Sequence, residues 1–416
     1  MINTVLATSG QPRSGKIYYG YFVVALSLLM MVLLWGAYYS FGVFFKPMSA
    51  EFGWTRAMTS GAFSVSMFLL GFMGIASGLL TDKYGPRLVM TISGVITGLG
   101  YLLMSQIGAV WQFYLVYGMI IGTGMSGAWI PLLSTIARWF KLRRSLMTGI
   151  VLAGTGVGGL IGPPFSEWLI SIYDWRKSFL IVGAVIVVIM AVMSQFLKRD
   201  PAASGQLPYG QSAREGSTLR FESDGLTAFE SLKTRQFWLI FFGVIGLGFS
   251  MYASMVHISP HATDLGFSSS FAAILISVIG GAQLLGRVAL GNVADRIGNK
   301  KAYIIGFVMM TVSLLWLLPA GQVWLLVLFA LVYGFGQGGA GVQESPLLAK
   351  YFGLRTHGLI MGIAGVGFSI GGSLGPRVTG YIFDITNSYR LAFIACVMFS
   401  LAGLILTALL TPIKNK

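Results

Sequence analysis

Arg287 stands inside the apolar run 269–293, eight residues before Asp295. Asp295 marks the polar end of that run. At about 1.5 Å of rise per residue, Arg287 lies about 12 Å deep, near the middle of a bilayer core about 30 Å thick. A charge at that depth is costly and is for that reason a candidate functional group. A structural ion pair and a side chain snorkelling to the interface are the alternatives. No Asp or Glu lies three or four residues away on the same helix, and the midplane is a long reach for snorkelling. The chemistry that fits is capture of an anion, because a guanidinium grips a carboxylate with two parallel hydrogen bonds. One fixed cation suits a small monoanion of the lactate or pyruvate kind; a dianion such as oxalate is better served by two.

Other groups lie at comparable depth. Gln283, Tyr39, Tyr333, Gln337, Phe368 and Ser369 are the remaining candidates for contact with a substrate. Their polar tips could hold a hydroxyl or keto oxygen, although helix packing uses the same residue types. Two groups are candidates for carrying a proton. His257 lies near the outer end of the run 236–261 and titrates near neutral pH; a simply hydrogen-bonded histidine is the alternative. Glu344 lies six residues before Lys350, about 9 Å inside its helix. It is a proton carrier, an internal partner for a basic residue, or a group hydrogen-bonded near the interface.

These side chains need a membrane scaffold, and the composition supplies one. Hydrophobic residues make up 55% of the 416 and charged residues 10%, against roughly 25% charge in soluble chains. Twelve apolar runs are long enough to span a bilayer: 18–45, 57–80, 88–108, 112–138, 145–170, 177–197, 236–261, 269–293, 301–318, 323–349, 358–383 and 389–411. The expected fold is therefore an all-α membrane protein of two six-helix halves. Its parts are an N-terminal segment 1–17, a first bundle 18–197, a linker 198–235 rich in Gly, Ser, Pro and mixed charge, a second bundle 236–411 and a tail 412–416. The first run is too long for a signal-peptide core and reads as a retained helix.

The net charge of +15 raises the question of nucleic acid, and its distribution answers it. With the N-terminus placed inside, 21 of the 28 Lys and Arg fall on inner segments. That bias is the positive-inside pattern and predicts both termini in the cytoplasm. The charge reports topology in a cell membrane, expected to be a bacterial inner membrane. Cys396 is the single cysteine, which excludes a disulfide within the chain. No clustered His, Asp, Glu or Cys suggests a metal, and no phosphate-binding Gly-x4-Gly-Lys-Ser/Thr loop is present, so no cofactor and no membrane enzyme is expected.

The chain repeats itself. Gly78-Leu79-Leu80-Thr81-Asp82-Lys83-Tyr84-Gly85 returns as Gly291-Asn292-Val293-Ala294-Asp295-Arg296-Ile297-Gly298, an offset of 213. Gly149 and Gly162 match Gly362 and Gly375 at the same offset. Six spans separate the copies, so the halves have the same orientation, related by an axis along the membrane normal. Asp82 and Asp295 lie at cytoplasmic helix ends. Each is expected to pair with a basic residue (Arg138 and Lys350 among the candidates) or with a helix N-terminus of the opposite half, holding that side shut.

The two Gly-x-x-x-Asp-Arg/Lys-x-Gly loops and the glycine-rich fifth span (Gly149, Gly154, Gly158, Gly159, Gly162, Pro163) resemble the major facilitator superfamily. The resemblance implies two six-helix bundles around a central cavity, worked by rocker-switch alternating access. A narrower resemblance is carried by Tyr38-Tyr39-Ser40-Phe41-Gly42-Val43-Phe44-Phe45-Lys46-Pro47, Glu51-Phe52-Gly53-Trp54 and Thr234-Arg235-Gln236-Phe237-Trp238. These segments are similar to the monocarboxylate transporter family and to the related oxalate/formate antiporters. The resemblance implies carboxylate binding at the eighth-span arginine. It also implies an acid four residues earlier and a lysine in the first span, where this chain has Gln283 and Tyr39. The expected function is proton-coupled transport of a small monocarboxylate. Exchange of other organic anions is the alternative, and a drug or sugar facilitator a more distant one. The expected partners are a small organic anion, protons and the lipid bilayer, with no nucleic acid.

Overall fold

The computed structural model describes residues 18–54, 56–211, 225–319 and 321–412. The expected N-terminal segment 1–17, the middle of the linker at 212–224 and the last four residues of the tail lie outside the described residues. Among the described residues, twelve helices are long and apolar enough to cross a membrane. In the first half they are α1 (Tyr19–Phe44), α2 (Gly61–Tyr84), α3 (Pro86–Met104), α4 (Val110–Trp139), α5 (Arg144–Tyr173) and α6 (Trp175–Ser194). In the second half they are α7 (Arg235–Ile258), α8 (Ile274–Ile297), α9 (Asn299–Leu317), α10 (Val323–Phe352), α11 (His357–Phe383) and α12 (Arg390–Ala408). There is also no strand there beyond two isolated bridges. In hydrocarbon that is the expected solution, since a helix satisfies its own backbone groups.

The repeated loop motif ends each second helix of a half in the same way. Gly85 and Gly298 take φ of 82° and 93°, a region open to glycine, and turn the chain directly into α3 and α9. Pro86 then starts α3 at a position where its missing N–H is no loss.

Within each half the first and fifth helices pack closely, α1 on α5 and α7 on α11. Gly158 shows why: a Cβ there would come within 2.6 Å of the Val32 carbonyl. Its repeat partner Gly371 meets the Ile245 carbonyl in the same way. Small residues let helix backbones approach where no hydrophobic drive separates helix from lipid.

The halves meet through α2 on α11 and α5 on α8. Gly78 lies against Gly358, Gly74 against Gly362, and Gly149 against the Arg287 carbonyl. Most of these contacts lie toward the face that carries the linker, called here the linker face.

Two helices are interrupted at mid-depth. In α4 a π-helical stretch, Tyr114–Ile121, precedes a break at 126–129. Its repeat partner α10 breaks at Gln343, and a fresh helix begins at Glu344. Interruptions of this kind recur at functional sites.

The linker is more structured than its composition suggests. Pro201–Ser204 forms a 3-10 turn and Ala228–Leu232 a short helix. Tyr209 pairs with Phe140, its N–H donating to the Trp139 carbonyl at 2.9 Å. Tyr18 donates to the same carbonyl at 2.8 Å and to the Leu207 carbonyl at 3.1 Å. These groups satisfy backbone acceptors at the end of α4 that the helix itself leaves open.

Candidate functional site

A cavity of about 100 Å³ lies at mid-depth between the two halves. The first half contributes Trp35 and Tyr39 from α1, Met67 and Leu70 from α2, Trp129 from the α4 break, and Leu152 and Thr155 from α5. The second half contributes Leu247, Met251 and Tyr252 from α7, and Gln283 and Arg287 from α8. It also supplies Gln337, Gly341 and Glu344 from α10, and Phe368 and Ser369 from α11. The chemistry is divided unequally. Both charged groups and both amides come from the second half, while the first half offers mainly aromatic and aliphatic surface.

Arg287 organises the polar wall. Its Nη1 donates to the Leu152 carbonyl at 2.7 Å and to the Thr155 hydroxyl, both on α5. Thr155 itself donates to the Leu152 carbonyl at 3.0 Å. Nε and Nη2 have no protein partner among the described residues, and no carboxylate lies within 4 Å of the guanidinium there. An arginine in apolar surroundings without a counter-ion is a ready acceptor site for an anion. The aromatic neighbours pair across the wall: Trp35 with Tyr39 at 5.3 Å between ring centroids, and Tyr252 with Phe368 at 5.9 Å.

Of the residues expected from the sequence, Arg287, Gln283, Tyr39, Gln337, Phe368, Ser369 and Glu344 line this one cavity. Tyr333 does not. It is fully buried inside the second half, where its hydroxyl donates to the Ser250 carbonyl of α7 at 2.6 Å. His257 also lies elsewhere. Its ring nitrogens meet the Tyr389 hydroxyl at 3.3 Å and the Pro376 carbonyl at 2.9 Å, linking α7 to α11 and to the residue before α12, on the side away from the linker face. That is the hydrogen-bonded alternative for this residue.

Sequence reasoning passed over Tyr252, Thr155, Trp35 and Trp129. Tyr252 had a signal: it stands 213 residues after Tyr39, the offset of the repeat. Both tyrosines face the same cavity, one from each half.

On the linker face the two aspartates make matching contacts across the halves. Asp295 at the end of α8 accepts from the Ser145 and Leu146 N–H groups at the start of α5, both at 2.9 Å. Asp82 at the end of α2 accepts from Gly358 at 3.1 Å and Leu359 at 2.9 Å, at the start of α11. Each carboxylate thus sits on the positive end of a helix in the opposite half. Arg138 lies in the same half as Asp82, at 3.3 Å, and reaches across to the Leu354 carbonyl at 2.6 Å. Lys350, its repeat counterpart, takes no such place; its side chain is exposed. The cross-half partners are therefore backbone N–H groups rather than lysine or arginine.

At the opposite face, Glu51 accepts from Arg176 at 2.6 Å and from the Trp175 indole at 2.7 Å. Those hydrogen bonds from Arg176, then Trp175, hold its carboxyl below the usual carboxylate range.

The family description Major Facilitator Superfamily matches residues 26–268 and 239–416. Monocarboxylate transporter 13 of Bos taurus is 30% identical over 407 residues, covering 96% of this chain and 90% of that protein. Monocarboxylate transporter 2 of Homo sapiens is 25% identical over 393 residues, covering 91% and 82%. Among solved structures, FucP in its outward conformation matches with a TM-score of 0.71 at 16% identity, covering 92% of this chain and 97% of its own. The human organic anion transporter MFSD10 matches with a TM-score of 0.71 at 15% identity, covering 95% and 100%. The structural likenesses speak to the fold; with the sequence match across both halves, the chain belongs to the Major Facilitator Superfamily.

Proposed function

We propose that this integral membrane protein is a secondary active transporter of small monocarboxylates, of the lactate and pyruvate kind, rather than an enzyme. The observation that carries the reading is Arg287, a cation with no carboxylate within 4 Å among the described residues, in a mid-depth cavity between the two halves. The relatives named monocarboxylate transporters support it. In this reading the free edge of the guanidinium takes the carboxylate, and the aromatic and aliphatic wall of the first half covers the carbon chain.

Glu344 supplies the proton site. It is buried in the same cavity, and its Oε1 has no partner among the described residues. Binding of an anion beside a carboxyl is favoured once that carboxyl is neutral, so proton and substrate load together. Alternating access follows from the linker-face contacts of Asp82 and Asp295. They close the cytoplasmic side in the state described and release it when the halves rock. Both chain ends then lie in the cytoplasm.

The test is uptake of labelled L-lactate and pyruvate into proteoliposomes, with and without an inward proton gradient, beside Arg287→Gln. Gradient-driven uptake that the variant lacks, with the variant correctly inserted, is the expected result. Absence of uptake by well-oriented wild type, with either a gradient or internal counter-substrate, overturns the reading for both acids.

A further inference from the structure

Gln337 is 2% exposed and lines the cavity, yet neither its amide nitrogen nor its amide oxygen has a partner among the described residues. Several buried polar side chains of this chain find one locally, while single hydroxyls such as those of Ser27 and Thr148 do not; Gln337 leaves both ends of an amide unpaired. Ser194, Thr379 and Thr407 each donate to the carbonyl one turn back. Gln343, on the same helix as Gln337, does the same: its amide donates to the Gly339 carbonyl at 3.1 Å. Gln337 instead keeps one donor pair and one acceptor unpaired beside the cavity it lines. A buried amide left this way is expensive and calls for an explanation.

The packing of α8 on α10 sets its level. The two helices run in the same direction, with Gly334 against the Ile279 carbonyl and Gly338 against the Gln283 carbonyl. Gly286 in turn meets the Phe335 carbonyl, so Gln337 stands between the levels of Gln283 and Arg287, within one helical turn of Arg287. Two long side chains within one helical turn, about 5.4 Å of rise, can reach adjacent atoms of a small ligand.

This step rests on Arg287 as the carboxylate-binding group. We propose that Gln337 reads a hydroxyl on the carbon chain of the same ligand, so that the site selects hydroxylated monocarboxylates. A hydroxyl both donates and accepts, and a primary amide answers both: its N–H donates to the hydroxyl oxygen and its carbonyl accepts the hydroxyl proton. A keto oxygen accepts only and leaves the Gln337 carbonyl unpaired. An unsubstituted chain leaves both ends unpaired. A site built to bond a hydroxyl discriminates against the analogue that lacks it more strongly than an apolar wall can count methylenes. Here Met67 and Leu70, facing from the first half, give the carbon chain apolar contact and read little else.

The test uses three acids on one three-carbon skeleton. L-lactate, pyruvate and propanoate are titrated calorimetrically into the purified full-length chain, as wild type, Gln337→Met, Gln337→Leu and Arg287→Gln. Wild type is expected to bind lactate about tenfold or more tightly than propanoate, with pyruvate between them. In both Gln337 variants the ratio is expected to fall close to one. A wild-type ratio near one, or a ratio that survives both substitutions, overturns the proposal. The wild-type ratio decides the hydroxyl preference by itself where a variant fails to insert. Equal binding of all three acids, lost in Arg287→Gln, overturns the hydroxyl reading and keeps the monocarboxylate one. Binding of none by wild type, or binding indifferent to Arg287→Gln, overturns both.

Discussion

Arg287 of α8 donates to the hydroxyl of Thr155 on α5, so a single guanidinium joins the two halves at the level of the cavity. The bond fixes Nη1 and leaves Nε and Nη2 without a protein partner among the described residues. Thr155 is then a positioning residue for Arg287. Thr155→Val removes one hydrogen bond to a charged group, worth roughly 1.5–3 kcal/mol at most, and the Leu152 carbonyl remains to soften the loss. KM for the transported carboxylate should rise about threefold to tenfold with little change in maximal rate. Thr155→Ser should restore it. Initial-rate uptake at graded substrate concentrations makes the measurement.

Asp82 and Asp295 each accept two backbone N–H groups of the opposite half at the linker face, and in the proposed cycle these bonds hold that face shut. Replacement by Asn removes the charge that meets the helix end and weakens those bonds, by about 1 kcal/mol for each site. The population should move toward opening at the linker face, further in the double variant than in either single one. Spin labels at Tyr84 and Arg355, both exposed and at the ends of α2 and before α11, would report it as a longer distance component. An unchanged distance distribution in the double variant would rule out the gate.

Glu344→Gln separates proton coupling from substrate binding. The amide keeps the shape of the side chain in the cavity and cannot release a proton. Uptake driven by a proton gradient should be lost, while exchange of internal for external substrate continues at a rate within a few-fold of wild type. Loss of both would make Glu344 a structural group. The histidine alternative predicts the reverse, with His257→Gln abolishing coupling.

The spans, the repeat and the depth of Arg287 were legible because each follows from one dimension: length, offset and rise per residue. Direction around the helix axis was not. Tyr333 and Gln337 are four residues apart on α10, at similar depth and on one side, yet Tyr333 turns into α7 and Gln337 faces the cavity. Which neighbour each meets is decided by where α7 packs on α10, which no single-helix pattern encodes. The repeat carried more than the motif loops. Tyr39 and Tyr252 correspond across it, as do Leu70 and Gln283, and Thr155 and Phe368. Arg287 corresponds to Gly74, which packs on α11 instead. The duplicated frame is symmetric; the polar chemistry was placed on one half of it. Reading the repeat at cavity depth, rather than at the loops alone, finds Tyr252.

Glu51 ties the extension of α1 to the start of α6 through Arg176 and Trp175, and this link has a defined pH window. Its carboxyl is held below its ordinary value in the folded chain by the Arg176 and Trp175 hydrogen bonds. A depressed carboxylate contributes stability above its unfolded value, about 4.3, and loses it as pH falls through the folded value. The pair is exposed, so the contribution is small and screened by salt. Wild type should therefore melt slightly above Glu51→Gln at every pH from 5 to 8, by a constant margin. Below pH about 4.3 the margin should shrink and vanish. Thermal melting of both proteins in detergent across that range, at low and high salt, makes the comparison. A margin that persists in acid would assign the stabilisation to hydrogen bonds that the neutral carboxyl still makes, rather than to the charge.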